Sequence, residues 1–309
     1  MSIVVNTNIA SMNAQRSLMN SSNALQEAME RLSTGKKINS AADDAAGFAI
    51  AESMTAQIRG LSMAAKNASD ALGLLKVVEN ATNDVTDMLQ RIRELAVQAQ
   101  SGTNSTGDVA NLQQEANALI DEINRVSEDT TYNGVAYIGS QEGSKNIQVG
   151  YNDGDSISIT TYDVGADKLG VMINDASTAS PTDDKVLYAL KDSTLHSATG
   201  GYLNIAQTAT AESGTTNRTP GALEVISAAI DQLGSYKAEW GAGQNRLEYT
   251  VSNLMNVVEF TTAARSRIQD ADFAVEAARL AKAQVLQQTG TAMLAQANAS
   301  PQLAISLLS

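Results

Sequence analysis

Carboxylates are the first place to look for chemistry in this chain, because it has no cysteine and a single histidine. Asp43 and Asp44 stand side by side, and paired carboxylates can do acid–base work or hold a metal. Adjacent residues on a helix point about 100° apart, so these two would not share a face. A turn or helix-start role fits them better. Asp153 and Asp155 flank Gly154 without calcium-loop spacing. His196 lies in an irregular stretch and belongs to no HExxH pattern. A serine with one distant histidine makes no triad, and no glycine-rich phosphate loop occurs. The lack of cysteine rules out disulfides, thiolate metal sites and cysteine nucleophiles. No catalytic, cofactor-binding or metal-binding residue is assigned, and the chain reads as a non-enzyme.

What remains distinctive is where charge is missing. The chain carries 34 acids against 21 Lys plus Arg, a net charge of −13. Yet no charged side chain occurs from Ala283 to Ser309, none precedes Arg16, and the next after Arg16 is Glu27. Charged side chains keep surfaces wet and are rarely buried unpaired. Two uncharged, helix-compatible ends on an acidic chain therefore read as ends that leave water together, in an assembly. A pI near 4.5 disfavours nucleic acid and anionic membranes. The start has no basic region followed by a long apolar run, so a cleaved signal peptide is not expected. No run of about 18 apolar residues is available to span a membrane.

The elements that must carry these ends follow from periodicity. Aromatics make up 4% of the residues, and there are three prolines. That composition with long repeats predicts helix-on-helix packing. A first helix is expected over about 8–33, with Leu18, Leu25 and Leu32 seven apart and Ala14, Ser21 and Ala28 between them. A second is expected over about 45–100, with Leu61, Ala65, Ala68, Leu72 and Leu75 leading a seam that continues to Ala99. Three-residue steps from Leu75 to Ala81 imply a local register shift. A third, over about 108–128, steps through Leu112, Ala116, Leu119, Ile123 and Val126. It should fold back on the second, given the short loop between them.

From about 132 to 218 the chain turns to Gly, Thr, Ser and Asp. Residues 146–162 read as a hairpin turning at Asn152-Asp153-Gly154. Beyond Val171 no element is assigned. Helix resumes after Pro220, with Leu223, Ile226, Ile230, Leu233, Trp240, Leu247, Val251, Leu254 and Val258 at heptad spacing and Lys237 and Gln244 interrupting. A last alanine-rich helix is expected over about 270–298, ended by Pro301. The fold class is therefore mainly α. N- and C-terminal segments form a long antiparallel coiled coil or helical bundle, with a β-hairpin and a short β or irregular central insert.

Six blocks in order resemble bacterial flagellin: INSAADDAAGFAIAE (38–52), LQRIRELAVQAQ (89–100), INRVSEDTTYNG (123–134), GQNRLEYTVSNL (243–254), ARSRIQDADFAVE (264–276) and MLAQANASPQLAISLL (293–308). The resemblance covers about residues 1–170 and 219–309. It implies a terminal coiled coil of residues 1–40 and 270–309 at the filament core, with Leu18, Leu25, Leu32, Val275, Leu280, Val285 and Leu286 as core positions. It implies a rod-like domain of 41–170 with 219–269, and a short exposed insert of 171–218. Trp240 departs from the family by placing a large ring at a heptad position, and Gly241-Ala242-Gly243 is expected to make room for it.

Function follows from the same resemblance. The chain should assemble into the flagellar filament for swimming, after export through the flagellar type III apparatus. Its partners would be copies of itself, an export chaperone, and the filament cap and hook-associated proteins. Leu294, Leu303, Ile305, Leu307 and Leu308 are the chaperone and assembly anchors. Arg91, Leu95 and Glu115 would form a subunit contact that vertebrate Toll-like receptor 5 also recognises. A hook–filament junction protein is the alternative, since it would share the terminal coiled coil.

Overall fold

The computed structural model describes residues 8–174, 185–192, 201–211 and 218–306. Its contacts divide into two compact units: residues 1–60 with 256–309, and residues 61–255. These limits fall inside two helices. The expected borders near 40 and 270 coincide instead with helix breaks within the first unit.

In the first unit, helix α1 spans Ile9–Thr34. Asn8 caps it by accepting the Ser11 backbone N–H, and Gly35 ends it at φ +70°, where its own N–H donates to the Arg31 carbonyl. Only glycine adopts that conformation without steric cost. A polar connection then leads to helix α2 (Ala45–Ala99). Asp43 accepts the backbone N–H groups of Asn39 and Ser40, and those bonds hold its pKa below the ordinary aspartate value. Asp44 accepts the N–H groups of Ala46 and Gly47. The two adjacent carboxylates thus serve a turn and a helix start.

Gly47 is buried in that start. A β-carbon there would lie 2.5 Å from an Asp44 carboxylate oxygen and 2.7 Å from Ile38 Cδ1. The return strand is tied at the same level. Lys37 N–H donates to the Gln269 carbonyl, and Ala271 N–H donates to the Gly35 carbonyl.

The first unit closes with helix α5 (Phe273–Ser306), which starts where Asp272 accepts the N–H groups of Ala274 and Val275. It runs antiparallel to α1. Asn8 Nδ2 donates to the Ala297 carbonyl and Ser11 Oγ to Asn298 Oδ1 at one end, while Arg31 meets Glu276 at the other. Midway, a β-carbon on Gly290 would touch Leu18 Cδ1 at 3.1 Å. Pro301 does not end α5 as the sequence suggested, because the helix continues to Ser306.

The second unit is built on the rest of α2, helix α3 (Thr106–Asp129) and most of helix α4 (Ala222–Gln269). α3 begins with a capping box: Ser105 Oγ accepts the Asp108 N–H, and Asp108 accepts the Ser105 N–H. That box moves the start two residues before the expected Asp108. The α4 stripe is buried at Ile226, Leu233, Trp240, Leu247 and Leu254. The polar interruptions reach α2: Lys237 donates to Asn83 Oδ1, and Gln244 to Glu79 Oε2. On α2 the buried positions include Ala64, Ala71 and Leu89, while Ala65, Leu72 and Met88 are only half-buried. A straight helix drifts about 20° per heptad, so a strict 4-3 count loses the buried face over several turns.

The hairpin is strands β1 (Gly143–Gln148) and β2 (Ser156–Thr161), antiparallel with Ile147 opposite Ile157. Gly154 takes φ +89° in the turn between them. Strand β3 (Gly170–Asn174) pairs with β4 (Lys185–Ala189), and short β5 (Thr210–Ala211) pairs with β6 (Arg218–Thr219). The sequence left these last two pairs unassigned. β5 and β6 are two residues each, and the runs GVMIN and KVLYA are nearly all apolar, so none of the four shows alternation.

Trp240 is 1% exposed. The ring joins Tyr162 and Tyr236, which stack at 4.0 Å with centroids about 6 Å from the indole.

Candidate functional site

The chemistry of this molecule lies on its surfaces. Among the described residues, no group of three or more His, Asp or Glu side chains is placed to hold a metal, and no helix is long and apolar enough to cross a membrane. His196 lies outside the described residues.

One candidate surface is an edge of the second unit. Arg91 on α2 donates from Nε and Nη2 to Glu115 Oε1 on α3, at 3.0 and 2.8 Å. Its Nη1 donates to Glu94 Oε2 at 3.0 Å. All three side chains are about half exposed or more. The bonds to Glu115 first, then Glu94, hold the Arg91 pKa above its ordinary value. Leu95 does not share this edge. It is 1% exposed and belongs to the unit's core. The sequence expectation that it forms a surface contact is corrected: a residue four places on from an exposed arginine can lie inside, because helix faces are only about 100° wide. Beside the edge, Gln90, Arg93, Glu94, Val97, Gln98 and Ile230 line a shallow groove in which Val97 stands 57% exposed.

The second candidate surface is the α1–α5 pair of the first unit. Leu18, Leu25, Leu32 and Leu280 are half-buried. Val275, Val285 and Leu286 are not buried in this pair, although Leu286 lines the cleft beside Ala24 and Ala28 of α1. They are 47%, 58% and 46% exposed, and α5 instead buries Glu276 and Ala283. The core positions implied by the resemblance missed this because a carboxylate occupies one inward position. Apolar side chains therefore point to both sides of α5, and a helix apolar on all sides normally has neighbours all round. Met12, Met19 and Ile9 on α1 and Met293 on α5 likewise face outward, each about 60% exposed.

The third group is the charge-free tail. Leu294 is half-buried, and Leu303 and Ile305 lie in the final turns of α5. Leu307 and Leu308 lie outside the described residues.

Two clusters escaped the sequence reading. In the first unit Glu276, 4% exposed, meets Arg31 at 3.5 Å and Arg279 at 2.9 Å. The i,i+3 spacing of Glu276 and Arg279 was visible, but nothing local announced Arg31. In the second unit Asp121 accepts from Lys191 Nζ and the Tyr202 hydroxyl. Burial pushes the Asp121 pKa up, but those two bonds outweigh it and leave the value lowered.

Known proteins similar to this chain share one family. Residues 5–139 match the family described as bacterial flagellin N-terminal helical region, and residues 223–308 match bacterial flagellin C-terminal helical region. Flagellin of Bacillus subtilis is 40% identical over 318 residues, covering 98% of this chain and 99% of that protein. Flagellin B of Vibrio cholerae is 34% identical over 375 residues, covering all of both chains. A crystal structure of Bacillus cereus flagellin aligns at a TM-score of 0.41 with 21% identity, over 61% of this chain and 88% of that one.

Proposed function

The chain belongs to the bacterial flagellin family and is a subunit of the extracellular flagellar filament, and from that premise we propose how its surfaces divide the work. Flagellins are structural proteins that polymerise with copies of themselves. The role of this chain is mechanical, without catalysis. Residues 1–40 and 270–309 form the filament core, 41–170 with 219–269 the surrounding layer, and 171–218 a short outer insert. The helix breaks at Gly35 and at Asp270 to Asp272 support the inner border.

The observation that carries this reading is α5. It has apolar side chains on opposite sides and no charge after Lys282. Burying each outward Leu- or Val-sized side chain against further copies would contribute roughly 1.5–3 kcal/mol before ordering costs. Where such contacts are heterologous and their rotation does not close, they build an open helical polymer.

Before export the same tail needs cover. An export chaperone would take Leu294, Leu303, Ile305, Leu307 and Leu308 as anchors, and the type III apparatus would pass the chain. Filament cap and hook-associated proteins would meet its ends. Arg91 and Glu115 form a subunit contact in the filament, and Toll-like receptor 5 would read the same edge on free subunits. Leu95 acts there by holding the edge from inside. No observation on the chain favours the junction-protein alternative.

Seeding purified chain with filament fragments tests the core of this reading. Sedimentation and electron micrographs should show filaments from full-length chain and none from a variant ending at Lys282. Full-length chain that stays monomeric under seeding would overturn it.

A further inference from the structure

The α1–α5 interface has little in its apolar residues to fix register. Leu18, Leu25 and Leu32 repeat every seven residues, and so do Ala14, Ser21 and Ala28. Sliding α1 by one heptad would put Leu18 in the place of Leu25, Leu25 in that of Leu32, and Ser21 in that of Ala28. The facing surface of α5 is alanine-rich and uncharged beyond Lys282. Two such surfaces pack almost as well one heptad out of step, because side chains of the same size return to each layer.

Several contacts break that equivalence, among them the Asn8–Ala297 and Ser11–Asn298 hydrogen bonds and the backbone ties of Gly35 and Lys37 to Ala271 and Gln269, but one of them is a buried ion pair. Glu276 is 4% exposed, and the Arg31 side chain that meets it across the interface is 14% exposed. Glu27, one turn before Arg31, holds the guanidinium from the same helix. Arg279 also reaches Glu276, but it lies on α5 itself and moves with it, so it carries no register information. The same slide would put Ala24 where Arg31 stands and leave a buried carboxylate without its cross-helix partner. Arg279 alone would then hold it, and a buried carboxylate that loses one of two cationic partners costs more than a leucine exchanged for a leucine.

The pair is also imperfect. Arg31 Nε and Glu276 Oε2 are buried and make no hydrogen bond. Unsatisfied buried polar atoms cost stability. A pair kept only for strength would pack better as two aliphatic residues, whereas setting register is the best-attested use of a buried polar group between helices.

We propose that Arg31 and Glu276 are positioning residues that lock the register of the α1–α5 pair, and so select one of several near-equal packings for filament assembly. The lock has a direction: an arginine one heptad earlier on α1 should draw the helices into the slipped register.

Cysteine pairs read the register directly, because the chain has no cysteine of its own. Ser11 Oγ lies 2.8 Å from Asn298 Oδ1, so Ser11→Cys with Asn298→Cys reports the native register. Ser11→Cys with Thr291→Cys, one heptad away on α5, reports the slipped one. Both pairs are oxidised in full-length free chain and in seeded filaments, and intramolecular closure is read by gel mobility. In the native background only the Asn298 pair should close. With Ala24→Arg and Arg31→Ala, closure should move to the Thr291 pair. With Arg31→Leu and Glu276→Leu, which keeps the interface packed, both pairs should close in comparable yield.

Retention of the Asn298 pair alone in both variants would overturn the lock. So would closure of both pairs in the native background, and closure of neither would overturn the α1–α5 pairing on which it depends. Filament yield, measured beside this, tests the polymer reading separately from the register.

Discussion

Trp240 on α4 donates its indole N–H to the Thr160 carbonyl on β2 at 2.9 Å, joining the long helix to the hairpin inside the second unit. The bond fixes a ring whose burial the heptad spacing predicts but whose partner it does not. Tyr162 and Tyr236 complete the pocket, and the Tyr162 hydroxyl donates to Glu239 at 2.6 Å. That bond first, with burial second, raises the Tyr162 pKa.

Trp240→Phe should therefore destabilise the second unit even though an aromatic ring is kept. It leaves the Thr160 carbonyl without this donor and opens space beside the tyrosines. The cost is about 1–3 kcal/mol, read as a lower midpoint in denaturant unfolding followed by circular dichroism. An unchanged midpoint would mean that the bond contributes nothing net.

Arg91→Ala and Leu95→Ala should separate surface from core. Leu95 is buried, and its truncation should cost about 2–5 kcal/mol. Arg91 is half exposed, and its exposed ion pairs contribute little to folding. Its alanine variant should melt with the parent yet bind neighbouring subunits or receptor-bearing cells less well. Matching losses of stability in both variants would place Arg91 among the structural residues.

Asp163→Asn should be a stabilising change near neutral pH. Burial raises the Asp163 pKa, opposed by the Gly165 N–H it accepts and aided by nearby Asp167 and Glu142. A raised carboxylate pKa means that the ionised form is disfavoured in the fold. The native aspartate then loses stability as pH rises through the window between its unfolded and folded values, and recovers it below both. The melting temperature of the asparagine variant should exceed the parent's at pH 7, and the gap should close as the medium is acidified below the ordinary aspartate pKa. A gap that stayed constant with pH would remove charge as the cause.

Gly47→Ala should disturb the start of α2. A methyl group there would sit against the Asp44 carboxylate and the Ile38 side chain, both closer than a β-carbon tolerates. Alanine normally favours a helix over glycine, so the sign of the result is diagnostic. Crowding should win by about 1–3 kcal/mol, seen as a lower thermal midpoint. A stabilised variant would show that Ile38 swings aside at no cost.

The long helices were legible in the sequence because their periods repeat over many turns. Leu233, Trp240, Leu247 and Leu254 are buried at the spacing that predicted them. The hairpin was legible because Asn152-Asp153-Gly154 separates two alternating runs, Ile147 and Val149 in the first and Ile157 and Ile159 in the second. What could not be read was pairing between distant residues. Val275 was expected in the core, yet its neighbour Glu276 takes the inward place because Arg31 waits on another helix. Leu95 looks like part of a surface motif, but its side chain faces inward. Pro301 looks like a stop, yet α5 carries on past it.

The placement of Trp240 also has an optical consequence. It is the sole tryptophan of the chain, and it lies in the second unit at 1% exposure. Its emission is thus a gauge of that unit alone. The first unit has no indole, so melting or reordering confined to α1 and α5 leaves the fluorescence unmoved while the helical dichroism falls. The two signals recorded on one sample would give the folding order of the units without a label.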